Sequence, residues 1–407
     1  MTTEQQSRAG RSALGAIFLT VFLDMVGFGM IIPIVPRFAR RLDDNALAAT
    51  ALMSAYSFFQ LLMAPVWGRV SDRIGRRPVL LVSIAAGIIA NLLFGVVGAL
   101  WALYLARSLA GAAGANISTA QAYIADVTTP ADRARGRGMI GAALGMGFVL
   151  GPAIGGVAAQ LGDARTPFLV AAALAGVNFL YVLLALPEPK RAGERAPARR
   201  LTIAGLRTTL GRPALIRLIL LVFAMTLAFT QLEATFPLWT HDEYGYGERE
   251  TSYLFVFIGV VLIIVQGAIV RRLARKIGES RLIVTGSFMM AAALALLPLG
   301  GGARGFAVLL PVLALVAAGN GLAFPSLTAA VSQTADPRSQ GEVLGVSQSA
   351  ASLARILGPL IGGGLYQRVS IGSPYYTGGA IMLLAALLSL SLLGAAPGAP
   401  GSSAHGG

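Results

Sequence analysis

No cysteine occurs anywhere in the 407 residues, and the two histidines, His241 and His405, stand far apart. Thiol chemistry, disulfide scaffolds and Cys/His metal sites are thereby excluded, and no metal-ligating set is expected. Charge is scarce too: Asp, Glu, Lys and Arg make up 12% of the chain, against about 25% in a soluble domain. Acid is scarcer than base, 18 residues against 32, so the formal net charge is +14. That excess would suit a nucleic-acid partner if it formed one patch, but the basic residues are parcelled between apolar runs. Nucleic acid is therefore not an expected partner. The chain also lacks a G-x-x-x-x-G-K-S/T nucleotide loop, so ATP is not an expected energy source and no cofactor is expected.

Hydrocarbon fills the space that charge leaves. Hydrophobic residues are 56% of the chain and the mean hydropathy is +0.72, which marks an integral membrane protein. Apolar runs fall at residues 14–36, 47–66, 78–99, 101–125, 138–161, 167–186, 214–238, 252–270, 282–299, 305–331, 342–366 and 375–395. Each approaches the ~20 residues that a helix needs to cross ~30 Å of hydrocarbon, so twelve crossings are expected. The first run is longer than the apolar region of a signal peptide and lacks a cleavage site, and reads as an uncleaved span.

Twenty-two of the 32 basic residues fall in loops on one side of this arrangement and seven on the other. Positive charge marks the cytoplasmic side, so both termini are expected in the cytoplasm and the protein in the cytoplasmic membrane. The segment 187–213, rich in Pro, Arg and Gly, is the one long interior loop. It reads as a cytoplasmic linker, with a surface helix expected around Leu201 to Leu210. It separates a six-helix bundle at 14–186 from a second at 214–395, with a cytoplasmic N-terminus at 1–13 and a disordered tail at 396–407. The halves repeat: an offset of 207 sets Gly151-Pro152 on Gly358-Pro359, Gly114 on Gly321 and Pro130 on Pro337, and an offset of 203 sets Gly75 on Gly278. The fold class expected is all-α, with two pseudo-symmetric six-helix bundles, the parallel-repeat plan of many transporters.

Few residues inside the spans carry chemistry. Asp24 lies near the middle of the first, where a carboxylate costs at least ~2.5 kcal/mol. It suits a proton-coupling acid facing an aqueous cavity, or a carboxyl that only bonds a neighbouring helix. Glu233 is the other acid within a span, placed to bind a proton or a cationic substrate or to reach the outer interface. Arg107 sits in the fourth span, followed by Gly111, Gly114, Ser118 and Gln121 on one small or polar face. It belongs either to a pathway or to a side chain that snorkels to the surface. Phe28, Asn116, Ser118, Gln121, Gln231, Asn320, Gln348 and Arg355 complete a candidate substrate cavity.

Two stretches stand out between spans. Gly68-Arg-Val-Ser-Asp72-Arg73-Ile-Gly75-Arg76-Arg77 carries four arginines in ten residues and reads as a loop at a membrane face, its two glycines allowing a tight turn. Asp72 and Asp126, at the ends of spans two and four, are placed to form an ion-pair gate with its arginines. The run Gly145-Met-Gly-Phe-Val-Leu-Gly151-Pro152-Ala-Ile-Gly155-Gly156 combines close-packing glycines with a helix-bending proline.

Taken together, Asp24 with Gly27-Phe-Gly29 and Pro33-Ile-Val-Pro36, the 68–77 stretch, Arg107, Asp126-Val-Thr-Thr-Pro130 and the 145–156 run resemble the twelve-span drug:proton antiporters of the major facilitator superfamily. The likeness is greatest to the tetracycline exporter branch, and it is dense over residues 14–160. The resemblance implies a transporter rather than an enzyme, driven by the proton gradient and acting as a monomer on a small molecule. It also implies that Arg107 serves proton transfer and that the 145–156 run marks an exporter. In one respect the chain departs: where tetracycline exporters carry a third-span acid, it has Ala90 beside Asn91. That departure argues against metal-chelated tetracycline as the substrate. An exporter or symporter of one metabolite, such as a sugar or a pathway product, a lipid flippase and a nontransporting receptor remain the competing readings on this fold.

Overall fold

A computed structural model of the chain describes residues 3–114, 116–128, 133–188, 211–300, 305–336 and 339–393. The surface helix expected around Leu201 to Leu210, the rest of the linker from 189, the tail from 394 and the Pro130/Pro337 pair lie outside them. All regular structure among the described residues is helical. The first half comprises α1 (Thr3–Ile31), α2 (Val35–Arg40), α3 (Ala46–Ile74), α4 (Arg76–Val96), α5 (Leu100–Ala113), α6 (Asn116–Val127), α7 (Arg133–Leu161) and α8 (Thr166–Ala185). The second comprises α9 (Pro213–Tyr244), α10 (Glu248–Ile264), α11 (Arg271–Ile277), α12 (Glu279–Leu296), α13 (Gly305–Thr334), α14 (Gln340–Arg368) and α15 (Ser373–Ser389). A π-helical turn over Val265–Val270 joins α10 to α11 as one segment.

Among the described residues, ten segments are long and apolar enough to cross a membrane. The others are instructive. α14 has the length but carries Gln340, Glu342, Gln348, Ser349, Ser352 and Arg355 in its first half, too polar for a lipid-facing helix. The expected fourth span is broken: α5 stops at Ala113 and α6 starts at Asn116. A broken helix at membrane depth is tolerated where neighbours satisfy the freed carbonyls. Trp67 Nε1 donates to the Ala112 carbonyl at 2.5 Å, Ser83 Oγ to that of Ala113 and Gln60 Nε2 to that of Gly114 at 3.4 Å.

The 68–77 stretch is not a loop. α3 runs through Gly68 to Ile74 and α4 begins at Arg76, leaving Gly75 as the whole turn. Only Gly75 uses its glycine freedom, at φ 109°, whereas Gly68 sits inside α3 with open space where a Cβ would be. Gly278 repeats the conformation at φ 84° between α11 and α12, so the sequence repeat is also a backbone repeat. At Gly75 a Cβ would meet the Glu188 carboxylate at 2.8 Å, and at Gly278 it would meet nothing within 4 Å. Gly75→Ala is therefore expected to lower the thermal unfolding midpoint clearly more than Gly278→Ala. Both variants carry the backbone strain of ~1–3 kcal/mol, but only the first displaces Glu188. Equal shifts would show that the Glu188 contact contributes nothing.

Packing follows the repeat. In the first half α1 packs on α7 and α8, α4 on α8 and α5, and α3 on α5. The second half reproduces each pairing: α9 on α14 and α15, α12 on α15 and α13, and α10 on α13. The halves meet where α3 touches α14 and α7 touches α10. Glycines let these backbones approach. Gly151 faces Gly29 of α1, Gly155 faces Met30, and Gly358 faces Leu227 and Thr230 of α9 in the matching position. Gly145 and Gly156 look the other way, onto Ile263 and Ser252 of α10. The 145–156 run thus seats α7 against its own half with one set of glycines and against the opposite half with another.

Candidate functional site

The break between α5 and α6 places Arg107 and Asn116 on the wall of a cavity of about 90 Å³ inside the first half. Asp24 and Phe28 of α1, Tyr56 and Gln60 of α3 and Asn91 and Phe94 of α4 face the same space. Asn116 Nδ2 donates to Asp24 Oδ1 at 2.7 Å. Asp24, part-buried in the last third of α1, is thus held by one hydrogen bond among the described residues and opens onto a cavity, as a proton-exchanging acid requires. Arg107 does not snorkel. Only 4% of it is exposed, and its guanidinium carbon lies 5.8 Å from the Tyr56 ring centroid and 5.5 Å from that of Phe94. Such cation–π contacts stabilise a desolvated guanidinium.

Tyr56 was not marked by the sequence, because an aromatic residue within an apolar run is ordinary. It is nevertheless the hub of this region. Its ring packs on Phe28 at 5.5 Å, its hydroxyl accepts from Gln60 Nε2 at 3.3 Å, and it lies within electrostatic reach of Asp24, Arg107 and Arg355. Across the interface, Glu233 feels both Arg355 and Arg107, although no ion pair within 4 Å joins it to either among the described residues. Arg355 donates to Ser352 Oγ at 2.8 Å. One acid and two arginines therefore act on Tyr56, and Glu233 of the second half acts on both of those arginines.

The remaining cavity candidates are dispersed. Ser118 and Gln121 of α6 and Gln348 of α14 are exposed, and Asn320 is part-buried. Gln231 is fully buried in α9 with neither amide atom partnered among the described residues. None of the five lines the cavity around Arg107.

At the 68–77 face, Arg76 is buried between two acids: it pairs with Asp72 at 2.8 Å and Asp126 at 3.2 Å and donates to Ser71 Oγ at 2.6 Å. Glu188 caps the start of α4, accepting the Arg76 and Arg77 backbone N–H groups at 2.8 Å each, an anion at the positive end of a helix. Arg77 also donates to the carbonyls of Val182 and Leu183, while Arg73 is exposed. Among the described residues, every partner named in this cluster belongs to the first half. As seen here it braces α3, α4, α6 and the end of α8, and no ion pair joins it to the second half among the described residues.

The clamp between the halves lies on the opposite face, among residues that the sequence analysis does not single out. Glu248, at the start of α10, accepts from Arg37 at 3.1 Å and Arg41 at 2.5 Å. Asp242, near the end of α9, accepts from Arg40 at 2.6 Å and from the Tyr366 hydroxyl at 2.6 Å. Gln367 Oε1 accepts the Ala46 N–H at 2.7 Å, and Ser54 Oγ donates to the Ile356 carbonyl at 2.6 Å. The signal was present in the sequence: three arginines after the first span stand opposite a cluster of acids at the pseudo-equivalent place after the seventh.

Known proteins resemble the chain over nearly its whole length. It is 33% identical over 361 residues to a class C tetracycline resistance protein of Escherichia coli, covering 87% of this chain and 90% of that one. It is 28% identical over 374 residues to multidrug resistance protein 2 of Bacillus subtilis (strain 168), covering 89% and 91%. Among solved structures, the human organic anion transporter MFSD10 (TETRAN) superposes with a TM-score of 0.69 at 25% identity, covering 93% of this chain and 99% of that one. The nucleoside transporter NupG (D323A mutant) superposes with a TM-score of 0.78 at 15% identity over the same shares, which is a likeness of fold. The model of the Major Facilitator Superfamily matches residues 17–359 and 312–406. With its multi-pass helical architecture, its two equivalent halves and this match over most of its length, the chain belongs to the Major Facilitator Superfamily.

Proposed function

We propose that the protein is a proton-coupled antiporter that exports amphipathic small molecules or drugs across the cytoplasmic membrane by alternating access. One observation carries the reading: Asp24 and Glu233, one acid from each half, flank the Tyr56–Arg107 cluster at an interface whose ion pairs, among the described residues, lie on one face. Contacts between the halves run through residues 46–54 and 356–367, and through 145–156 and 249–263, from the clamped face to mid-helix. Toward the 68–77 face, Gln121, Gly141, Ala142, Gln348 and Ser349 are exposed. A cavity open to one side and sealed on the other by breakable ion pairs is what rocking of two halves requires.

In this reading α5–α6 and α14 add two crossings to the ten, giving twelve with both termini in the cytoplasm. The open face is then cytoplasmic, and the proton gradient supplies the energy. The Arg76 cluster re-pairs when that face closes, which is how it would act as a gate. The tetracycline and multidrug resistance relatives support the substrate class.

Uptake into inside-out membrane vesicles tests the reading. With the vesicle interior acid, amphipathic compounds from a panel are expected to accumulate, and the accumulation is expected to collapse when a protonophore removes the gradient. Accumulation that ignores the gradient, or that runs only from right-side-out vesicles, would overturn it.

A further inference from the structure

We propose that the cavity around Arg107 is a subsite for the anionic head of an amphipathic organic acid, a carboxylate carried on an aromatic or aliphatic body. Arg107 is 4% exposed and its Nε has no hydrogen-bond partner among the described residues. None of the described carboxylates lies within 4 Å of its guanidinium. A guanidinium taken out of water without a counter-ion is costly, and two acids stand near without serving it. Asp24 is engaged by Asn116, and Glu233 acts on Arg107 only at longer range, from the other half.

The surroundings suit an acid on a flat body. Tyr56 and Phe94 rings hold the guanidinium, so its fork of donors is pre-set for the two oxygens of a carboxylate. Phe28, packed on Tyr56, extends an aromatic wall beside it. Asn116 Oδ1 is a second buried atom without a partner among the described residues on the same wall, an acceptor for a hydroxyl or water that accompanies the acid. At about 90 Å³ the cavity takes a head group and a few waters rather than a whole drug-sized molecule. The body of the ligand therefore lies toward the space between the halves, where Arg355 and Glu233 stand. An ammonium head would find Arg107 repulsive and the Asp24 carboxylate already bonded, so the cavity favours the anion.

The inference rests on the antiporter reading for calling the ligand a substrate, but binding is measured without transport. Equilibrium binding to the purified full chain in lipid nanodiscs would compare 2-naphthoate, 2-naphthamide and 2-naphthylmethylammonium, which share one body and differ in the head. Saturable binding of the naphthoate is expected, at least about tenfold tighter than the amide, with the ammonium weakest, as one charge-assisted bidentate pair predicts. Arg107→Lys is expected to weaken the naphthoate about tenfold and leave the amide within about threefold, because it keeps the charge and loses the fork. Equal binding of acid and amide, tighter binding of the ammonium, or no saturable binding of the naphthoate would each overturn the proposal. The wild-type comparison decides it even if the variant fails to fold. The gradient-driven vesicle assay is separate. Transport without a carboxylate preference defeats this inference alone, whereas a carboxylate preference without gradient-driven transport defeats the antiporter reading alone.

Discussion

Asp24→Asn is expected to abolish proton-driven efflux while leaving the protein folded and inserted. The amide is nearly isosteric with the carboxyl and keeps an oxygen to accept the Asn116 Nδ2 hydrogen bond, 2.7 Å in the wild type, so the local packing has no reason to change. What changes is the capacity to bind and release a proton. An antiporter must disfavour substrate and proton together on the same state, and such opposition between two ligands is a coupling free energy of ~1–3 kcal/mol, or about 5–150-fold. With the site fixed in its neutral form that coupling is zero. The gradient then does no work on the substrate, although downhill exchange can continue. Inside-out vesicles give both readouts: uphill accumulation under an imposed pH gradient should fall to the level without a gradient, and substrate counterflow should persist. Uphill accumulation with wild-type pH dependence, at equal expression, would move the coupling to Glu233.

The spans were legible because hydrocarbon thickness imposes a length that composition cannot hide, and the offset between the halves foretold the matching backbones at Gly75 and Gly278. Interruptions were harder to read. The fourth span looks continuous in hydropathy, and what opens it after Ala113 is the supply of hydrogen bonds from Trp67, Ser83 and Gln60, on helices distant in sequence. The 68–77 stretch reads as a loop from its charge density. It is helical on both sides of Gly75 because Asp72, Asp126 and Glu188 neutralise its arginines and satisfy its backbone. Asp24, Arg107 and Glu233 were visible because a charge inside hydrocarbon always needs a reason. Tyr56 was not, since its importance comes from the groups that surround it. Arg37, Arg40 and Arg41 enter the sequence reading only among the seven basic residues of the outer face, which says nothing of their partners. Basic residues at a membrane face first suggest orientation, and only the fold shows acids of the other half opposite them.

Those arginines carry the last large effect expected: Glu248→Gln should release the clamped face. Glu248 receives both Arg37 and Arg41, and its side chain and that of Arg37 are only 12% and 14% exposed, so this pair is poorly screened by solvent. The pair with Arg41, whose side chain is 47% exposed, adds less. Removing one partner of a well-buried pair costs ~3–5 kcal/mol; allowing for the partial exposure here, about 1–3 kcal/mol is a fair expectation, a shift of about 5–150-fold between access states. Because these contacts cross from one half to the other, the loss falls on the state in which this face is shut rather than on the fold of either half. The absence of native cysteine makes the shift measurable. Spin labels on cysteines at Asp43 and Glu243, on opposite halves at the clamped face, should report one short distance in the wild type. The Glu248→Gln background should add a longer population. If the variant instead keeps the short distance alone and transports at the wild-type rate, the Arg37–Glu248–Arg41 cluster is surface decoration and the clamp must be sought in Asp242, Arg40 and Tyr366.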